Sequence, residues 1–308
     1  MKTILLLGAY GFIGTNILSF IDKYLNTQYK VIVFDKLATH FAGLSFKCVA
    51  KSYSGDFSDS VLLNTIFEEN SIDYVIHSLS TTVPATSLNA RYDVDSNLVP
   101  TLELLNAMIK HNVYDIAYIS SGGAIYGNKD ILHKETEDVF PISSYGVVKL
   151  TIEKYLMQYA QLHNIRPLIL RLSNPYGPYH YSMKQGVINV ALSNAIKGGE
   201  FAVWGDGTSE KDYIYIEDFI DILFKLKAEN IHTEVINVAS GEALSVNKIL
   251  ESIKTHINSF NWIYKDASKY DVQRFKLDTS KLKSFITDYK FTSFEEGLQK
   301  TINWAKTL

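Results

Sequence analysis

The sequence predicts an α/β fold, with a doubly wound parallel sheet and a smaller C-terminal α+β lobe. In the N-terminal half, short apolar runs alternate with longer stretches of helical period, which is typical of βαβ units. The runs are apolar throughout, as strands covered by helices on both faces are. After residue 173, glycines and prolines break the chain into shorter pieces. The 308 residues, 46% of them hydrophobic, are enough for one large domain and a second lobe.

The elements of the first half follow one another in a regular order. Strands are predicted at 3–7, 31–34, 46–50, 74–77, 116–119 and 168–172. Helices are predicted at 12–25, 60–69, 97–111 and 144–163. Residues 1–173 are expected to form the first domain and residues 174–308 mainly the second lobe, with the strand and helix near 212–240 returning to the first domain.

Composition excludes several classes of function. The 30 Lys and Arg residues against 33 Asp and Glu residues give a net charge of −3, so we expect no nucleic-acid or membrane partner. The single cysteine, Cys48, can form neither an intramolecular disulfide nor a zinc cluster, and we expect no metal site and a cytoplasmic location. The apolar stretch at 4–7 is too short for a signal sequence or a membrane span.

Three glycines lie between the first strand and the first helix. Gly8 allows a tight turn, Gly11 lets the backbone approach a pyrophosphate, and Gly14 lets the helix pack closely on the sheet. The helix N-terminus, including Phe12 and Ile13, offers N–H groups to the phosphates. This context predicts a Rossmann-type dinucleotide site.

Asp35 closes the second strand at the distance expected of a ribose-binding carboxylate. Such a carboxylate accepts hydrogen bonds from the ribose hydroxyls and repels a 2′-phosphate, which favours NAD over NADP. Lys36 follows directly and is a further candidate cofactor contact, although a solvated lysine is the alternative.

Tyr145 and Lys149 are four residues apart on a predicted helix and therefore share one face. Their position adds specificity, because they follow the fifth strand and its exit, residues 119–127, at the carboxyl end of the sheet. A nearby ammonium and a positive nicotinamide ring both favour the phenolate of a tyrosine. Tyr145 could then take a proton from a sugar hydroxyl as hydride leaves the same carbon.

With these motifs the chain resembles the extended short-chain dehydrogenase/reductase family, and within it the NAD-dependent nucleotide-sugar epimerases and dehydratases. The resemblance covers most of the first 220 residues, and also includes Gly55–Asp56, residues 75–77, residues 171–178, residues 205–207 and residues 211–218. It implies further cofactor-binding residues: Asp56, Phe57, Leu79, Ser80, Asn97 and Ser120. It also implies that Asn174 holds the phosphate of the sugar nucleotide, and the further candidate substrate-binding residues are Thr82, Gly122, Gln185, Gly186, Val187, Lys211 and Arg274.

The leading function is an NAD-dependent 4-epimerase of a nucleotide-linked hexose, of the UDP-glucose/UDP-galactose type and active in carbohydrate metabolism. The resembling dehydratases have an acidic pair where this chain has Gly123 and Ala124, which disfavours elimination of water. The family's catalytic Ser or Thr is replaced by Gly122, so that either Ser121 supplies the hydroxyl or Tyr145 contacts the sugar directly. An NAD(P)H-dependent keto-sugar reductase and a catalytically impaired dinucleotide sensor remain open.

Two family arginines that serve the diphosphate are also replaced, by Lys211 and by Ser268, and Arg274 is a candidate to compensate. The resemblance further implies a homodimer built from the helix after Asn97 and the helix that carries Tyr145. An apolar surface stripe on both helices would support that arrangement.

Overall fold

The computed structural model describes residues 1–40, 42–182, 185–266 and 274–307, so that Ser268 lies outside the described residues. Its strands are β1 (Lys2–Leu7), β2 (Tyr29–Asp35), β3 (Val49–Ser54), β4 (Tyr74–His77), β5 (Asp115–Ser121), β6 (Leu132–His133), β7 (Arg166–Leu172), β8 (Asn174–Tyr176), β9 (Glu200–Trp204), β10 (Glu210–Tyr215), β11 (Glu234–Val238), β12 (Ala243–Ser245), β13 (Asn261–Lys265) and β14 (Arg274–Leu277).

The helices alternate with these strands. They are α1 (Phe12–Phe20), α2 (Ser60–Glu69), α3 (Ala90–Asp93), α4 (Val99–Lys110), α5 (Gly122–Ile125), α6 (Ser144–His163), α7 (Val187–Ile196), α8 (Ile216–Ala228), α9 (Val246–His256), α10 (Ser280–Phe285) and α11 (Phe294–Ala305). Two π-helical turns, Ile21–Leu25 and Val94–Leu98, extend α1 and precede α4.

Seven parallel strands form the central sheet, in the order β11-β7-β5-β4-β1-β2-β3. This arrangement confirms the predicted doubly wound α/β fold. From β1 the strands β2 and β3 follow towards one edge of the sheet, and from β4 the strands β5, β7 and β11 follow towards the other. The strand order therefore reverses between β1 and β4. Ligands of such sheets bind beyond the carboxyl ends of the strands at that point.

Alternating side chains of β1 show why the sheet is covered on both faces. Ile4 and Leu6 pack in a core layer with α1 and α8, whereas Leu5 and Leu7 pack in the opposite layer with α2, α4 and α6. All four side chains are fully buried. Because the residues of a strand point alternately to its two faces, only a continuous apolar run can serve both layers.

The third strand differs from its predicted position at 46–50. It spans Val49–Ser54 because the carboxylate of Asp22 accepts the backbone N–H groups of Lys47 at 2.8 Å and Cys48 at 2.6 Å. These bonds hold the preceding residues in a turn, so the prediction was wrong by about half a strand. The other predicted strands and helices are confirmed, with ends that differ by a few residues.

A smaller lobe is built from a five-stranded sheet and the pair β13–β9. The five-stranded sheet has the order β12-β10-β14-β6, and β8 pairs with β10. β11 pairs instead with β7 at the edge of the central sheet. The boundary at residue 173 stays a prediction.

A search of the described ranges found no helix that is both long and apolar enough to cross a membrane.

Candidate active site

A cleft of about 490 Å³ opens at the carboxyl end of the central sheet, between the glycine turn, the end of β5 and the loop after β8. The residues predicted from the sequence that line it are Gly8, Gly11, Phe12, Ile13, Gly14, Ser80, Ser120, Ser121, Tyr145, Lys149, Asn174, Gln185 and Gly186. The cleft therefore brings the nucleotide motif and the Tyr145–Lys149 pair together.

The glycine turn leaves no room for side chains at its two ends. Gly8 has a positive φ of 75°, and a Cβ there would lie 2.7 Å from the Cα of Leu79. A Cβ at Gly14 would lie 2.1 Å from the carbonyl oxygen of Gly8. At Gly11 the nearest atom would be 3.5 Å away, so the space in front of the α1 N-terminus stays open. This cradle fits a pyrophosphate bound to the first N–H groups of α1.

Asp35 is held at the end of β2 by two backbone bonds. Its carboxylate accepts the N–H groups of Tyr10 at 2.9 Å and Leu37 at 3.1 Å. The side chain is half-buried, so free lone pairs remain for a ribose. Lys36 is exposed and is not among the described residues that line the cleft, and its charge contributes to lowering the pKa of Asp56.

Asp56 and Phe57 lie where β3 turns into α2. The carboxylate of Asp56 accepts the amide and the hydroxyl of Ser58, and these bonds lower its pKa. Phe57 is buried and packs against Phe34 and His77.

The loop after β4 is tied down by Asn97. Its amide oxygen accepts the N–H of Thr81 at 2.8 Å, and its nitrogen donates to the Thr81 hydroxyl at 2.7 Å. Ser80 donates to the carbonyl oxygen of Thr82 at 2.8 Å. Thr82 itself is buried behind the cleft.

Tyr145 lies in the first turn of α6, which Ser143 caps by accepting the N–H of Gly146. Burial raises the pKa of Tyr145 to about 12, and a hydrogen bond with the side chain of Ser121 opposes that rise. The contact places the side chain of Ser121 beside the phenol.

Gly122 packs against the side chain of Leu277 and the backbone of Leu172. A Cβ at this position would lie 2.7 Å from Cδ1 of Leu277 and 3.3 Å from the carbonyl oxygen of Leu172. A side chain here would enter the packing between the two lobes.

Lys149 is buried one turn after Tyr145. Its Nζ donates to the carbonyl oxygen of Ile119 at 2.9 Å and lies 4.8 Å from the centre of the Tyr118 ring. The distance from Nζ to the Tyr145 ring centre is 5.7 Å. Burial lowers the pKa of Lys149 to about 8, while the charge of Glu153 opposes the shift.

Glu153 continues the same face of α6 and forms a buried ion pair with Arg171, at 2.7 Å. Ser120 donates its hydroxyl to the same carboxylate. Arg171 also donates to the Tyr126 hydroxyl at 2.9 Å, which donates in turn to Asn237 of β11 at 2.7 Å. Sequence reasoning missed this network, although the position of Glu153 four residues after Lys149 was a signal.

The predicted substrate residues are only partly brought together. Asn174 donates to the carbonyl oxygen of Asp212 at 2.9 Å and lines the cleft with Gln185 and Gly186. Val187 begins α7 directly after Gly186. Lys211 lies on β10 and Arg274 on β14, where Arg274 pairs with Glu210 at 3.1 Å, and neither lines the cleft.

An aromatic wall was not foreseen. His180 stacks on Phe12 with ring centres 4.3 Å apart, and it leaves no room for a side chain at Gly186. Tyr179 and Tyr181 flank it and both contact Trp304 of α11. No motif marked these contacts, because they join segments far apart in the chain.

The described residues contain no group of three or more His, Cys, Asp or Glu side chains arranged for a metal ion.

Two curated relatives share much of the sequence. A Methanocaldococcus jannaschii protein assigned provisionally as a UDP-glucose 4-epimerase is 31% identical over 307 residues, which cover 98% of each chain. A dTDP-4-dehydro-6-deoxyglucose reductase of Escherichia coli is 29% identical and covers 83% of this chain and 82% of its own.

Solved structures share the fold over its whole length. The UDP-glucose 4-epimerase of Thermotoga maritima, solved with UDP-glucose, superposes with a TM-score of 0.90 at 30% identity and covers 99% of both chains. That of Thermus thermophilus, in complex with NAD, has a TM-score of 0.90 at 26% identity, also over 99% of both chains. The model of the NAD dependent epimerase/dehydratase family matches residues 4–239, and the chain belongs to that family.

Proposed function

We propose that the protein is an NAD-dependent 4-epimerase of a nucleotide-linked hexose, of the UDP-glucose/UDP-galactose type. The observation that carries the proposal is the bond between Ser121 and Tyr145 beside the buried Lys149, in one cleft with the glycine turn. The relatives from M. jannaschii, T. maritima and T. thermophilus support the substrate class.

The residues of the nucleotide end fit NAD. Gly11 and the α1 N-terminus would hold the pyrophosphate, and Asp35 would hold the adenosine ribose. Lys149 would hold the nicotinamide ribose. When bound, NAD supplies the acceptor for a hydride from C4 and the donor that returns it to the other face of a 4-keto sugar.

Tyr145 would remove the proton from the C4 hydroxyl and give it back at the end of the reaction, directly or through Ser121. Burial keeps its phenol protonated in the protein alone, so the phenolate requires additional positive charge in the cleft. Lys149 supplies part of this charge, since with a pKa of about 8 it is largely protonated at neutral pH. Because the proton and the hydride both return, the reaction has no net redox change.

A keto-sugar reductase is the second candidate, favoured by the E. coli relative of that name. It would use the same tyrosine and lysine but would consume NAD(P)H. A dehydratase is disfavoured, because the described residues that line the cleft include no Asp or Glu to serve as a second acid or base.

The cytoplasmic location stays a prediction. It rests on Cys48, which is free and buried, and burial raises the pKa of its thiol. Such a thiol is poorly reactive.

Tyr145→Phe should lower kcat by about 10³-fold or more while bound NAD is retained, because only the proton-transfer group is lost. The wild type should interconvert two sugar-nucleotide epimers without net change in the absorbance of reduced nicotinamide. Chromatographic separation of the epimers of UDP-, dTDP- and GDP-sugars measures turnover, and Tyr155→Phe on the same helix is the control. Stoichiometric loss of NADH or NADPH would instead identify a reductase, and absence of turnover in the wild type would identify a sensor.

Ser121→Ala should lower kcat by about 100-fold, whereas Ser121→Thr should keep most of the activity, because it keeps the hydroxyl. Adding Gly122→Ser to Ser121→Ala should restore nothing, since a Cβ at 122 is directed at Leu277 and the Leu172 carbonyl. Steady-state kinetics of the four proteins decide the question. Recovery in the double variant would show that position 122 reaches the reacting hydroxyl.

Lys149→Met should abolish turnover and also remove a pH dependence of stability. An unfolded lysine keeps its ordinary pKa of 10.5, whereas the folded one titrates near 8. The unfolded chain therefore binds more protons between these values, and the free energy of unfolding of the wild type should rise by about 2 kcal/mol from pH 8 to pH 10. Denaturant unfolding at both pH values should show this rise in the exposed control Lys154→Met, but not in Lys149→Met. Equal slopes in the two variants would contradict the assignment.

We further propose a homodimer that pairs α4 and α6. Both helices carry exposed apolar residues, with 45% of Val99, 49% of Val147 and 65% of Leu162 accessible. The variant Val99→Glu/Val147→Glu should elute as a monomer in light-scattering chromatography, because charged residues are costly in an apolar interface. Ile196→Glu, at an apolar position on α7 that is 40% exposed, should leave the dimer intact. A monomeric wild type would refute the proposal.

A further inference from the structure

Asp93, the last residue of α3, has a fully buried carboxylate that the reaction outlined above does not use. Its Oδ2 accepts the hydroxyl of Ser87 at 2.5 Å. The hydroxyls of Thr82 and Ser144 also lower the pKa of this carboxylate, whereas its Oδ1 has no hydrogen-bond partner among the described residues. A buried carboxylate is costly to keep unless hydrogen bonds satisfy it, so the bond from Ser87 to Oδ2 is the contact that the buried charge most depends on.

The cluster reaches the catalytic helix through one further bond. The oxygen of Ser87 accepts the backbone N–H of Tyr145 at 2.9 Å. This N–H belongs to the first turn of α6, where it has no partner within the helix. The chain Asp93–Ser87–Tyr145 therefore connects a buried charge to the backbone of the residue whose phenol lies in the cleft.

The same cluster holds the loop that forms one wall of the cleft. Ser80, Val83 and Thr86 of this loop line the cleft. In the same loop, Ser87 donates a hydrogen bond to Asp93, and the hydroxyl of Thr82 helps to lower the pKa of that carboxyl. The loop is closed on itself by the bond from the amide of Val83 to the Thr86 hydroxyl, at 3.1 Å. Loop and helix are therefore attached to one carboxylate.

The negative charge of Asp93 is favourable near the N-terminus of α6. Burial raises the pKa of Asp93, but the hydroxyls of Ser144, Ser87 and Thr82 outweigh this effect, and the pKa lies below its ordinary value. The group is therefore an anion at neutral pH, and through Ser87 and Ser144 it adjoins the N-terminal end of α6, a helix of 20 residues. A negative charge is stabilised there by the helix dipole.

We propose that Asp93 is a positioning residue for the reaction: acting through Ser87, it fixes the N-terminus of α6 and the loop 80–87 relative to one another, and so sets where the Tyr145 hydroxyl meets the sugar. The inference deepens the proposed function and rests on it for its effect on turnover. Asp93 itself does not line the cleft, so it exerts this effect only through its neighbours.

Two substitutions test the link at its two ends. Asp93→Asn removes the charge at nearly constant volume, and Ser87→Ala removes the bridge at a less buried position, so the second serves if the first fails to fold. Both should lower kcat by about 10- to 100-fold with KM and NAD content changed less than about threefold, because small misplacement of a reacting group affects mainly the transition state. Ser87→Thr should retain most of the activity, since it keeps the hydroxyl.

A matched control separates positioning from simple loss of stability. Asp218 is also a buried carboxylate in the first turn of a long helix, and it accepts the amide and the hydroxyl of Thr292 at 2.8 Å. Asp218→Asn should lower the melting temperature but leave kcat unchanged.

Hydrogen exchange gives a reading that does not depend on the substrate. The amide of Tyr145 should exchange about tenfold faster in Asp93→Asn and Ser87→Ala, and at the wild-type rate in Ser87→Thr and Asp218→Asn. If the wild type turns over no nucleotide sugar, the proposed function fails while this measurement still tests the link. Unchanged exchange at Tyr145, or faster exchange with an unchanged kcat, would overturn the assignment of Asp93 as a positioning residue.

Discussion

The cleft depends on a buried cation at the end of β5. Lys149 places its ammonium on the carbonyl oxygen of Ile119 and over the ring of Tyr118. Burying a lysine is unfavourable unless such partners offset the loss of water. The bond also fixes the position of α6 along the sheet. Tyr145, one turn earlier on this helix, therefore lies beside Ser121 at the cleft.

A second buried charge pair stabilises this arrangement from behind. Glu153 and Arg171 are both almost completely buried, and the hydroxyl of Ser120 donates a hydrogen bond to the Glu153 carboxylate. Removing either charge would leave the other unpaired in the interior, which is far more costly than losing both. The bonds from Arg171 through Tyr126 to Asn237 extend the same network to the edge of the sheet. The first half of α6 is therefore supported by polar contacts as well as by its apolar face.

Local signals predicted the fold and much of the candidate site. The glycine turn follows β1, Asp35 is the last residue of β2, and the Tyr145–Lys149 pair lies on α6 between β5 and β7, so their positions follow from the order of strands and helices. Contacts between distant segments gave no such signal. The spacing of Glu153 from Lys149 puts both on one face of α6, but nothing in the sequence indicated Arg171 as the partner of Glu153 or the stacking of His180 on Phe12.

The third strand shows the same limit, because its start is set by a carboxylate that lies on the helix before it. Lys211 and Arg274 illustrate it again, since they lie on β10 and β14 and are not among the described residues that line the cleft.

Three consecutive residues where β5 ends and α5 begins contact three different neighbours. Ser120 bonds Glu153, Ser121 bonds Tyr145, and position 122 is directed at Leu277. Insertion or deletion of one residue in this stretch would exchange all three partners at once. Substitutions can therefore change the chemistry of this segment, whereas a change in its number of residues would disrupt all three contacts. Homologues that differ here should differ in residue type rather than in spacing.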